Sequence, residues 1–132
     1  MNIKKKPKPQ KVAYIDRCLI TNPLHVGLCL SESAFLKELK RLNVEDYPFS
    51  WMSVGCGGKV HYLENKFGDK TLIICIYREK HRCKTELYGM VAHEVMHVWQ
   101  AIKDDLGENS PSPEFEAYAV QGLVQAVMAE FK

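Results

Sequence analysis

No stretch of the 132-residue chain approaches the roughly 18 consecutive apolar residues that a membrane helix needs. A membrane span is therefore excluded and no membrane partner is expected. The first eleven residues lack the apolar block of a secretory signal, which argues against export by that route. No CxxC pair occurs. Cys18, Cys29, Cys56, Cys75 and Cys83 form an odd, dispersed set, which suits neither a thiolate zinc cluster nor a complete disulfide framework and fits a reducing, cytoplasmic compartment. Gly55, Gly57 and Gly58 are followed by no GK[ST] sequence and sit in no βαβ context, so they do not make a phosphate loop. The length supports one modest core and not two.

Charge is unevenly spread. Of the 18 basic residues, Lys4, Lys5, Lys6, Lys8 and Lys11 lie in the first eleven positions with Pro7 and Pro9, leaving thirteen against 16 acidic residues in the remainder. Residues 1–11 read as a flexible basic arm and 12–132 as a single domain. Such an arm can attract nucleic acid or an acidic partner, but five charges without interleaved aromatics give a weak, salt-sensitive signal.

Residues 12–30 mix short apolar pieces with Asn22, Pro23 and Gly27, a pattern of brief strands or turns. From 31 to 43, Phe35, Leu36, Leu39 and Leu42 recur at helical spacing after the capping residues Ser31 and Ser33. Segments 59–65 and 71–78 flank Gly68 and Asp69 and read as a hairpin, the second segment being the most strand-like in the chain. A helix over about 85–103 carries Val91, Val95, Val98 and Ile102 on one face and Trp99 on its flank. A last helix, about 113–130, is opened by Ser112 and Pro113. The class is α+β.

The helix over about 85–103 holds His93-Glu94-Val95-Met96-His97, an HExxH motif. Histidines one turn apart bring two imidazoles to one metal ion, and Glu94 projects beside them. One Zn2+ is the expected cofactor, since it accepts neutral imidazole nitrogen while a neighbouring carboxylate takes a proton from water without being a ligand.

The last helix offers Glu114 and Glu116 as a third ligand. At about 100° per residue, Glu116 aligns with Val120, Leu123 and Val127, whereas Glu114 aligns with Tyr118, Gln121 and Gln125. An inward carboxylate is expensive unless it is paired or bound to a cation, which favours Glu116. Glu114 is its competitor. Asp104, Asp105 and Glu108 lie at the end of the histidine helix or in the loop beyond it, where carboxylates usually face solvent.

The HExxH sequence of His93 to His97, followed nineteen positions later by Glu116-Ala117-Tyr118-Ala119, resembles the HExxH plus ExxA pattern of the gluzincin metallopeptidases, particularly compact zincin domains of phage and bacterial origin. The resemblance covers about 60–120. It implies a small zincin-like domain, with a hairpin or small sheet packed on the HExxH helix and a glutamate-bearing C-terminal helix. It also implies peptide-bond hydrolysis on a substrate strand laid along a sheet edge. His93, His97 and Glu116 would hold the ion, and Glu94 would act as general base towards a peptide or protein substrate. For a phage-encoded chain the compartment would be the host cytoplasm.

A non-catalytic, zinc-stabilised structural or binding protein is the alternative, in which the basic arm engages nucleic acid. Phosphodiester hydrolysis is disfavoured by one metal and only Arg78 and Arg82 nearby. His81, Tyr88 and Tyr118 are candidates for stabilising the oxyanion, with His81, between strand and helix, ahead of Tyr118, which projects away from Glu116. Met90, Met96, Trp51 and Trp99 read as packing residues, Cys75 as an inward strand residue, and Cys83 as a thiol without a marked partner.

Overall fold

In the computed structural model, which describes residues 11–15 and 24–131, Ser31 opens the first helix by accepting a hydrogen bond from Ala34 N at 3.2 Å. This helix, α1, spans Glu32–Arg41 and ends before Asn43, whose φ of 59° is the left-handed conformation that closes helices. Four strands, β1 (Ala13–Tyr14), β2 (His25–Cys29), β3 (Gly58–Glu64) and β4 (Lys70–Ile76), form one sheet in the order β1-β2-β4-β3. The hairpin of β3 and β4 stands where the sequence predicts it. Asn65 Oδ1 accepts from Phe67 N at 2.9 Å and Asp69 N at 3.0 Å, and Gly68 takes a φ of 84°.

β2 and β4 run parallel, from His25 opposite Thr71 to Cys29 opposite Cys75, while the other pairs are antiparallel. Thr71 through Ile76 are all buried because β4 is central and covered on both faces. Its alternating side chains divide the interior. Leu72, Ile74 and Ile76 pack with Val91, Val95, Val98 and Ile102 of α2 (Lys84–Leu106) and with Leu123 and Val127 of α3 (Pro113–Met128). Ile73 and Cys75 instead meet Cys29, Phe35 and Leu63 on the other face. The architecture is α+β, as expected.

α2 stops at Gly107, with φ 73°, and α3 starts with Ser112 Oγ accepting from Phe115 N at 3.3 Å. α1 departs from its predicted face. Leu36 is 56% exposed, and Glu38 takes the buried place, where its carboxylate accepts from Tyr14 Oη at 2.7 Å and from Arg41 Nη2 at 3.0 Å. Burial pushes the Glu38 carboxyl up, but Arg41 and Tyr14 outweigh that and hold it below the usual carboxylate range.

Among the described residues, no helix is long and apolar enough to cross a membrane. Residues 1–10 of the expected basic arm, together with Cys18, Asn22 and Pro23, lie outside the described residues.

Candidate metal and catalytic site

Val91, Val95, Val98 and Ile102 fix the rotation of α2 by facing the sheet, and that rotation decides where the motif points. Glu94 falls at the margin of the apolar face and is 4% exposed, whereas His93 and His97 emerge into solvent. Their Nε2 atoms stand 3.2 Å apart with the rings edge to face. Two nitrogens bound to one tetrahedral zinc at about 2.0–2.1 Å would be about 3.3 Å apart, a separation that the two Nε2 atoms match.

Glu94 is covered by the start of β3. A Cβ on Gly58 would lie 3.0 Å from Glu94 Cγ and 2.7 Å from Met90 Sδ, so glycine lets the strand rest on these two side chains without displacing them. Burial raises the Glu94 carboxyl above its ordinary value, with His93 and His97 pulling the other way. The carboxylate and both imidazoles line a cleft of about 430 Å³ whose other walls are Gly58, Lys59, Val60, Tyr62, Leu72 and Ala101. Because β3 is the terminal strand of the sheet among the described residues, the cleft runs along an open edge.

Glu116 is placed elsewhere. Its carboxylate accepts from Trp99 Nε1 at 2.7 Å and from Lys103 Nζ at 3.3 Å, and these two donors hold it below the usual carboxylate range. Trp99 lies two residues beyond His97 and Lys103 six, roughly 200° and 240° further around α2. α3 therefore docks on a different flank of α2 from the imidazoles, joined there also by the Trp99 and Phe115 rings, 6.0 Å apart. Helical periodicity correctly put Leu123 and Val127 inward, but it carries no information on which flank of α2 receives the head of that stripe. The structure does not bring Glu116 to His93 and His97, and Glu114 is exposed. Among the described residues, no group of three His, Cys, Asp or Glu side chains is placed to hold a metal ion. The donor set thus fits zinc at two positions.

Other residues singled out in the sequence have their own places. His81 Nε2 lies 3.3 Å from Gly57 O, and its ring fills the space a Cβ on Gly57 would need, so it buttresses the glycine corner and does not line the cleft. Tyr88 packs against the core and Tyr118 is exposed. Asp105 accepts from Lys70 Nζ at 3.0 Å, while Asp104 and Glu108 face solvent. Arg78 stacks over Phe131 and Arg82 pairs with Glu86 at 2.7 Å, which leaves neither on the cleft. Cys75 is buried as expected, and Cys83 is exposed. Trp51 packs at an angle on Tyr77, and its carbonyl lies 3.0 Å from Nε2 of the buried His61.

Sequence reasoning missed Tyr62. Its signal was the alternation in β3, where Val60 and Tyr62 share the face turned towards α2. Comparison with protein-family models, with curated proteins and with solved structures returns no match.

Proposed function

We propose that this chain is a zinc-dependent hydrolase of peptide bonds, with Glu94 as the general base and His93 and His97 as metal-holding side chains. What carries the reading is one juxtaposition: two imidazole nitrogens 3.2 Å apart, next to a buried carboxylate, facing a cleft along an open strand edge. Zinc held by the two imidazoles would supply a Lewis acid that polarises a peptide carbonyl and acidifies water. Glu94, shielded by Gly58 and Met90 and raised in proton affinity, is suited to take the proton of the attacking water and return it to the departing amine. The outer N–H and C=O groups of β3 are suited to hold an extended substrate by strand addition. Glu116 as third ligand rests on its spacing and on the gluzincin resemblance, and joining the ion would require it to leave Trp99 and Lys103.

The non-catalytic alternative, a metal clamping two helices, draws less support, because α2 and α3 are joined at Trp99, Lys103 and Glu116 and the imidazoles face another way. Glu94→Gln decides the catalytic reading. Zinc-loaded wild-type protein should cleave an unfolded polypeptide such as reduced casein. The variant should keep its zinc and lose about 10²–10⁴-fold in rate. Equal rates for the two proteins, or cleavage that survives a chelator, would contradict the proposal.

A further inference from the structure

Tyr62 occupies an unusual place. It sits on the face of β3 turned towards α2, directly opposite the fully buried Leu72, yet it is 45% exposed. Alignment of helix and strand explains why. Gly58 lies against Met90 and Glu94 at one end, while Lys70, opposite Glu64 in the hairpin, reaches Asp105 at the other, so α2 and β3 run side by side in the same direction. One helical turn of four residues advances about 6 Å and two strand residues about 6.8 Å. Successive turns carrying Glu94, His97, Ala101 and Asp105 therefore keep step with Gly58, Val60, Tyr62 and Glu64. The first two bring the side chains of Glu94 and His97 to the groove, and the last turns Asp105 to Lys70. The third brings only the methyl of Ala101, and the aromatic ring beneath is left uncovered.

We infer that the notch bounded by Ala101, Tyr62, Leu72, Val60 and His97 is a specificity pocket that receives one bulky apolar side chain, aliphatic or aromatic, of a peptide paired along β3. This inference rests on the proposed peptidase reading. Ala101, Tyr62, Leu72 and Val60 carry no charge; of the charged residues on the cleft, Lys59 turns its amine over the Phe49 ring and Glu94 lies beside the imidazoles, so a charged substrate side chain would lose solvation in the notch without gaining a partner. A strand added to β3 lies about 4.8 Å beyond it and turns every second side chain towards α2, which directs one of them into the notch while its backbone passes the imidazoles. Ala101 sets the size limit and Tyr62 supplies the apolar floor.

The test uses the full chain carrying Glu94→Gln, with one equivalent of zinc, and two fluorescein-labelled octapeptides of serine and threonine. One bears a single central phenylalanine and the other alanine at that position. Fluorescence anisotropy should show the phenylalanine peptide binding about tenfold tighter or more, as burial of one aromatic side chain implies. Adding Ala101→Phe should abolish that preference by bringing the phenylalanine peptide down to the affinity of the alanine peptide. Tyr62→Ser, a milder change at a half-exposed site, should reduce it several-fold and covers the case in which the larger residue disturbs folding. Equal affinities, no binding of either peptide, or a preference indifferent to both substitutions would overturn the inference. Binding with the expected preference in a protein whose wild type cleaves nothing would defeat the peptidase reading alone. Cleavage with no apolar preference would defeat only the pocket.

Discussion

Gly58 lies over Glu94 so closely that a single methyl on the glycine would come within 3.0 Å of the glutamate Cγ and 2.7 Å of Met90 Sδ. Gly58→Ala should therefore displace β3 from α2, cost about 1–3 kcal/mol in chemical denaturation and lower turnover. Met90→Ala in the same chain makes room for the methyl and should recover most of both. Gly58→Ala with unchanged stability and turnover would show that the contact is not tight.

Glu116 tests which partner a carboxylate serves. Glu116→Ala leaves the indole N–H of Trp99, a residue 2% exposed, without its acceptor, and should destabilise the fold by about 1–3 kcal/mol in urea titration. With the carboxylate held by Trp99 and Lys103, zinc affinity should stay within about threefold of wild type. A loss of about a hundredfold or more would assign Glu116 to the ion in spite of its packing.

His61 gives the fold a pH dependence remote from the cleft. Its ring is buried between Tyr47 Oη, 2.9 Å from Nδ1, and the carbonyl of Trp51, and it packs on Phe35 with Lys59 two residues away on β3. Burial lowers its pKa below the ordinary value of 6.5, with Lys59 adding to the effect and the Trp51 carbonyl opposing it. The unfolded chain therefore binds a proton at His61 that the folded chain resists. The stability this provides is complete above about pH 6.5 and declines as pH falls from there through the depressed folded value. The urea midpoint of His61→Gln should change less than that of wild type between pH 7.5 and 5.5. Parallel curves would contradict this assignment.

The sequence made the helices and the hairpin legible because their signals are local. Ser31, Ser112 and Pro113 mark starts, Gly68 marks the turn, and Val91, Val95, Val98 and Ile102 define the buried face of α2. Convergence of His93 and His97 follows from their four-residue spacing alone. Other features depend on residues distant in the chain. Cys29 meets Cys75 through a parallel pairing that no local pattern announces, and Glu38 displaces Leu36 from the interior because Tyr14 and Arg41 satisfy its carboxylate. The destination of Glu116 was hidden for the same reason: its own helix indicates that it points inward but not whether Trp99 or an imidazole waits there.

The central claim is that His93 and His97 form a metal site, and zinc titration tests it most directly. Calorimetry on chelator-stripped protein should give one ion bound per chain, with affinity lowered about a hundredfold or more by His93→Ala and left nearly intact by Glu94→Gln. No uptake by the wild-type chain, or uptake indifferent to His93→Ala, would contradict the account.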